Sequence, residues 1–268
     1  MSLQKLNHLD DDTKRSAYAS ILPHRVFDHL TRVDPDRFPT PEINPETFYL
    51  DARPGSYEAR LRVPAHRIDG DYALSLDLAD AGGGQLEIGF MVINDLTARR
   101  YNTDTDVDGR MTLLGTAGRN RAEEIAALKA GLGPSQVRKG LGLFAELLPL
   151  LETLGKKLGY YGIVLEPLTY HNAVWYENHG FAYISGRKRM LEIDRAFAPG
   201  GTLYHALDGS PFRQQRFARR PRGRSWAIHD GILSHLDNDE RMHLEMVKVI
   251  GTTTHQETFL TTWNASDG

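Results

Sequence analysis

The residues best suited to chemistry fall in two stretches. The first is Gln136-Val137-Arg138-Lys139-Gly140-Leu141-Gly142, a glycine-bearing turn with two cations. Glycines let a backbone come close to a ligand, and free N–H groups at a helix start favour an anion such as a phosphate. The second is Asn172-Ala-Val-Trp-Tyr176-Glu-Asn-His-Gly180-Phe181. A phenol with a pKa of ~10 stays protonated at neutral pH and can donate a proton. Two carboxylates could take a proton from an amine: Glu87 in QLEIGF and Glu166 at the end of GIVLE. Each feature also has an ordinary reading. The glycines could serve packing, Tyr176 could be a core aromatic beside Trp175, and the two glutamates could face solvent. With Ala145 the turn also spells GxGxxA, but no strand directly precedes it, so a dinucleotide fingerprint lacks its context.

Other motifs carry less. Asp104, Asp106, Asp108 and Gly109 match the opening of a calcium loop, yet the twelfth position is Gly115 where a bidentate Glu is needed. A polar turn is expected there. Arg213, Arg216, Arg219, Arg220, Arg222 and Arg224 crowd into twelve residues, with Phe217 among them and Phe212 and Trp226 at either end. Such a run can contact phosphates, or form a solvated loop paired with the chain's acids. His229-Asp230 with Ser225 or Ser234 lacks a G-x-S-x-G elbow, and no H-E-x-x-H occurs. His171, beside Asn172, reads as a capping or pocket-lining residue. No metal site is expected.

The elements that must position these residues follow from periodicity. An amphipathic segment from Asp11 to Val33, broken at Pro23, precedes a connector holding Pro35, Pro39, Pro41, Pro45 and Pro54. Alternation predicts strands over 57–63, 72–78 and 85–93, and a short apolar strand over 111–114. Residues 121–133 predict a helix stopped by glycine. A second helix is expected from Pro134, with Val137, Leu141, Phe144, Leu148, Leu151 and Leu154 on one stripe and a kink at Pro149. Further strands are expected over 162–166, 181–184, 190–193 and 226–228. Helices are expected over 172–179, closed by Gly180, and over 239–249. The division that results is a helical arm and connector over 1–55, a central domain over 56–195, and a C-terminal extension over 196–268 packed on that domain.

Composition narrows the class. The chain has 268 residues, a formal net charge of −3 and no cysteine. Disulfides, Cys-ligated metals and a thiol nucleophile are excluded. The near-balance of charge argues against broad nucleic-acid binding. The N-terminus has no apolar stretch of a signal peptide, and Leu141–Leu154 is too short and too interrupted to span a bilayer. A soluble protein of the cytoplasm is the expectation. The sequence leaves the oligomeric state open, a homodimer included.

In order and spacing, GPSQVRKGLGLF (133–144) followed by GIVLEPLTYHNAVWYENHGFAYIS (162–185) resembles the GNAT (GCN5-related N-acetyltransferase) superfamily. The resemblance implies an α/β fold: a mixed, mostly antiparallel sheet flanked by helices. It implies an acyl-coenzyme A whose pyrophosphate is held by Gln136, Val137, Arg138, Lys139, Gly140, Leu141 and Gly142, with Asn172 contributing. It also implies that acetyl-CoA or another acyl-CoA donates its acyl group to a small-molecule or peptide amine. Tyr176 would then protonate the departing thiolate, and Glu87 or Glu166 would take the amine proton. Val137 stands where the family carries Gln or Arg. Together with the arginine run, that favours a second reading, a non-catalytic module on the same scaffold that binds a nucleotide, RNA or a protein partner.

Overall fold

The computed structural model of the chain describes residues 2–44, 46–236 and 242–261. The elements run α1 (Leu3–Asn7), α2 (Asp11–Ala19), α3 (His24–Val33), β1 (Tyr49–Asp51), β2 (Glu58–Val63), β3 (Leu74–Ala81), β4 (Gln85–Ile93) and α4 (Arg121–Lys129). They continue α5 (Phe144–Leu158), β5 (Gly162–Leu165), α6 (Tyr170–Glu177), β6 (Ala182–Ser185), α7 (Arg187–Ala196), α8 (Thr202–His205), α9 (Pro221–His229) and β7 (Glu245–Val249). Short 3-10 turns cover Gln215–Arg219 and Ile232–His235. The fold is α/β. No helix among the described residues is long and apolar enough to cross a membrane.

The chain forms two compact units, each assembled from separate stretches. One comprises Met1–Arg99, Arg138–Leu165 and Val247–Thr253; the other comprises Arg100–Val137, Glu166–Met246 and Thr254–Gly268.

The first unit is built on a sheet in the order β1-β2-β3-β4-β5-β7. Neighbours from β1 to β4 pair antiparallel, and β4 pairs parallel with β5. Alternation explains these strands. Ala59, Leu61 and Val63 of β2 are buried, as are Leu74, Leu76 and Leu78 of β3. Arg62 of β2 reaches Asp77 of β3 at 2.5 Å. Helix α5 is long because Phe144, Leu147, Leu148, Leu151, Leu154 and Leu158 recur on one buried face. Pro149 lies within it on the exposed side, and Gly159, at φ +82°, ends it. The N-terminal helices belong to this unit: Asp80 of β3 accepts the N–H groups of Leu3 and Gln4 at the start of α1.

The second unit holds α4, α6, β6 and α7 to α9, and the first residues of β7. Ala127, Leu132, Phe212 and Trp226 form an apolar cluster there, with Phe212 stacked on Trp226 at 5.3 Å.

Five local expectations are corrected. Residues 111–114 are not a strand: Met111 makes an isolated bridge to Thr105, and Leu113 and Leu114 adopt left-handed backbone. The helix expected from Pro134 starts ten residues later, at Phe144. Residues 190–193 and 226–228 lie in α7 and α9; Met190 and Ile193, three apart, share the buried face of a helix turn. Short apolar runs fit both periods, and tertiary packing chose the helix. The end of the expected 239–249 helix is strand β7, and its start, like Pro45 of the proline run, lies outside the described residues.

Leu151 is fully buried at the centre of the α5 stripe. Leu151→Ala should lower the unfolding free energy by about 2–5 kcal/mol in a denaturant titration, the range for a core leucine cavity.

Candidate functional site

In the first unit the glycine turn lies just before α5. A helix start leaves its first N–H groups without intrahelical acceptors, at the positive end of a 15-residue dipole. Lys139, Gly140 and Gly142 are exposed, and Leu141 is half-buried. Gly142 sits at φ +71°, backbone that favours glycine. A Cβ on Gly140 would lie 3.0 Å from the carbonyl oxygen of Ile93, so glycine lets this turn rest against the end of β4.

Arg138 behaves differently from the sequence expectation of a phosphate ligand. Its guanidinium is buried and engaged within the protein. Nε donates to Asp71 at 2.7 Å, Nη1 to the carbonyls of Ala98 at 2.5 Å and Leu96 at 3.3 Å, and Nη2 to that of Asp69 at 3.4 Å. Lys139 is therefore the accessible cation of the turn, while its own carbonyl accepts the N–H of Asp95 at 2.8 Å. Glu87 lies half-buried on β4, opposite Val164 in the parallel β4–β5 pair.

The remaining candidates belong to the second unit. Gln136 Oε1 accepts the N–H of Gly133 at 2.6 Å, and the carbonyl of Val137 accepts the N–H of Tyr101 at 2.8 Å. Between Gly133 and Gln136, Ser135 holds a left-handed backbone, at φ 63°. Thr169 caps α6, its hydroxyl accepting the N–H of half-buried Asn172. Tyr176 is buried against Trp175 and Phe181. Burial pushes its phenol up to about 12, so it carries its proton across the neutral range. Glu166 is exposed at the end of GIVLE.

Two residues at the motif are buried polar centres: Glu177, to which the sequence pointed no role, and His171, expected only as a capping or pocket-lining residue. Glu177, next to Tyr176, accepts from the hydroxyls of Tyr183 and Thr258, each at 2.6 Å, and from the N–H of Thr258. Burial pushes its carboxyl up against these hydrogen bonds. His171 is buried with Nδ1 2.9 Å from both Ser225 Oγ and Thr169 Oγ1. Burial, and then the charge of Arg222, drive its pKa down to about 3. A Cβ on Gly133 would lie 2.4 Å from the His171 ring, so this position must be glycine for the two to coexist. The sequence signal was the capped helix start at Thr169. Nothing local showed that Ser225 would meet it.

The arginine run is an ordered structural element. Arg224 is completely buried, donating to Asp194 at 2.6 Å, Tyr170 Oη at 2.9 Å and the carbonyl of Ala218 at 2.7 Å, with Phe259 packed on its plane at 4.4 Å. Arg213 binds Asp230 at 3.0 Å, and Arg222 donates to the carbonyl of Gly131 at 2.6 Å. Arg216 and Arg220 remain exposed. The acidic stretch forms a turn: Asp106 accepts the N–H groups of Asp108 and Arg110, and Asp104 pairs with Arg100 at 2.6 Å. Among the described residues no group of three or more His, Asp or Glu is arranged to hold a metal ion.

Removing Arg138 would leave a buried carboxylate at Asp71. Arg138→Met should cost about 3–5 kcal/mol in chemical denaturation. His171 stays neutral in the folded chain while an unfolded histidine titrates near 6.5. Its contribution to stability is thus complete above pH ~6.5 and is lost progressively as pH falls toward the folded value. The melting temperature should fall between pH 6.5 and 4, and less steeply in His171→Gln. No protein-family model, no curated protein and no solved structure matches this chain.

Proposed function

We propose that this chain is an acyl-CoA-dependent N-acyltransferase, moving an acetyl or other acyl group to an amine. The observation that carries the reading is the exposed Lys139–Gly142 turn at the N-terminus of α5, pressed against the end of β4 by a glycine. Its donors and one accessible cation suit a pyrophosphate. A second support is Tyr176, whose burial keeps the phenol protonated.

In this reading the N–H groups from Lys139 to Leu143 bind the pyrophosphate, with the Lys139 ammonium adding charge. A share of Gln136, Val137 and Asn172 in that contact rests on the family resemblance alone, whereas Arg138 supports the turn from within the first unit. The neutral amine attacks the thioester carbonyl carbon. A C–N bond forms and the C–S bond breaks. Glu87 or Glu166 takes the amine proton, directly or through water, and Tyr176 gives its proton to the sulfur.

Isothermal calorimetry with millimolar acetyl-CoA tests the reading. Gly140 is a poor position for a probe because a side chain would press on Ile93, so Lys139→Glu is the better variant. It should weaken binding at least tenfold with an unchanged far-UV spectrum. Absence of binding by the unmodified chain overturns the reading. Tyr176→Phe should lower turnover by about 10²–10⁴-fold with cofactor affinity nearly constant, the usual range for general acid help. Binding without turnover on any amine would instead favour the non-catalytic module.

A further inference from the structure

We propose that His29 and Arg138 are positioning residues that hold the Lys139–Leu143 turn in its binding shape, and that protonating His29 releases it. The ligand side of this inference rests on the acyl-CoA reading; the positioning itself rests on the hydrogen bonds of the first unit.

The segment that leaves β4, Asn94–Ala98, is the shared element. Its start is fixed to the chain before β3: Asn94 donates from its side chain to the carbonyl of Tyr72 at 2.9 Å and from its N–H to that of Ala73 at 2.8 Å. Its far side grips the turn. Asp95 N–H binds the Lys139 carbonyl at 2.8 Å, and the carbonyls of Leu96 and Ala98 receive the Arg138 guanidinium, which Asp71 holds from the other direction. Its near side is held by His29 of α3, a nearly fully buried imidazole whose Nε2 accepts the Leu96 N–H at 3.0 Å. The same peptide neighbourhood therefore connects α3 to the turn before α5.

That bond exists only with the neutral tautomer bearing its proton on Nδ1. Protonation puts an N–H on Nε2, directly opposite the N–H of Leu96. The carboxylate in reach is Asp95, whose Oδ1 is 3.7 Å away, and a charged imidazole is drawn toward it. Leu96 then loses its acceptor, and Asp95, whose N–H holds Lys139, is pulled from its present arrangement with Thr97. The charged groups acting on His29 are Asp95, which favours the proton, and Arg32 of α3, which opposes it. Burial is the largest influence and lowers the pKa from 6.5, so the device stays closed at neutral pH and opens in acid. Arg138 acts at all pH values, because its partners are a carboxylate and carbonyls.

Hydrogen–deuterium exchange of the intact chain, corrected for intrinsic rates, tests the positioning without any ligand. In the unmodified protein, amides of 139–143 should exchange at least tenfold faster at pH 5 than at pH 7.5. His29→Gln, which keeps an acceptor but does not titrate, should remove that difference. Arg138→Lys should speed exchange of the turn at both pH values. Calorimetry with coenzyme A over the same range should show affinity falling in parallel in the unmodified chain and staying level in His29→Gln. An unchanged pH response in His29→Gln, or exchange of 139–143 that is the same at both pH values in the unmodified chain, overturns the proposal. Failure to bind coenzyme A overturns the acyltransferase reading alone, since the exchange measurements decide the positioning by themselves.

Discussion

The buried Arg138–Asp71 ion pair is the constraint around which the first unit's glycine turn is arranged. A guanidinium taken from water must have nearly all of its donors met, or the cost of burial outweighs the attraction. Asp71 answers one edge, and the carbonyls of Asp69, Leu96 and Ala98 answer the rest. Meeting that demand draws together the turn after residue 68, the segment leaving β4, and the entry to α5. The glycines that follow can then be exposed without being loose, because the residue before Lys139 is anchored. Close packing of Gly140 on Ile93 extends the same fit by one more contact.

The second unit solves its own charge burial in the same way. Arg224 and Asp194 form a buried pair, and Tyr170 and the Ala218 carbonyl satisfy much of what remains. Asp194 also accepts N–H groups from Leu260 and Thr261, so it fastens the C-terminal stretch of this unit. Arg119 bridges Glu124 and Asp230 while lying over Phe212. Burial works to raise Glu124, yet His229 and Arg119 hold its carboxyl below the usual range. Six arginines close in sequence are thus divided by their surroundings: some are scaffold, and a few face water.

Burial also sets the protonation of the groups near α6. The Tyr176 phenol is held neutral, the His171 imidazole is held neutral, and the Glu177 carboxyl is pushed toward its neutral form. A neutral tyrosine keeps a proton that it can donate. The neutral histidine suits a hydrogen-bonded support at a helix start, where its N–H and ring both meet Ser225. One physical effect, loss of solvent around a charge, thereby gives different consequences for an acid and a base.

By itself the sequence determined the local elements whose pattern was long or well punctuated. Strand Gln85–Ile93 was read at its observed bounds, and the helices closed by Gly131 and Gly180 followed from periodicity and stop signals. The antiparallel pairing of β2 to β4 was legible in the alternation and turn residues, whereas β1 fell within the expected irregular connector. The tertiary structure decided the short apolar runs at 190–193 and 226–228, where four or fewer residues fit either period. It decided where α5 begins, because Arg138 is held by residues far earlier in the chain and the segment up to Leu143 stays irregular. It decided which arginines are scaffold, since burial and the meeting of Arg138 with Asp71, or of His171 with Ser225, arise between residues more than fifty positions apart. Periodicity is a property of neighbours along the chain; the solvation of a charge depends on what surrounds it in space.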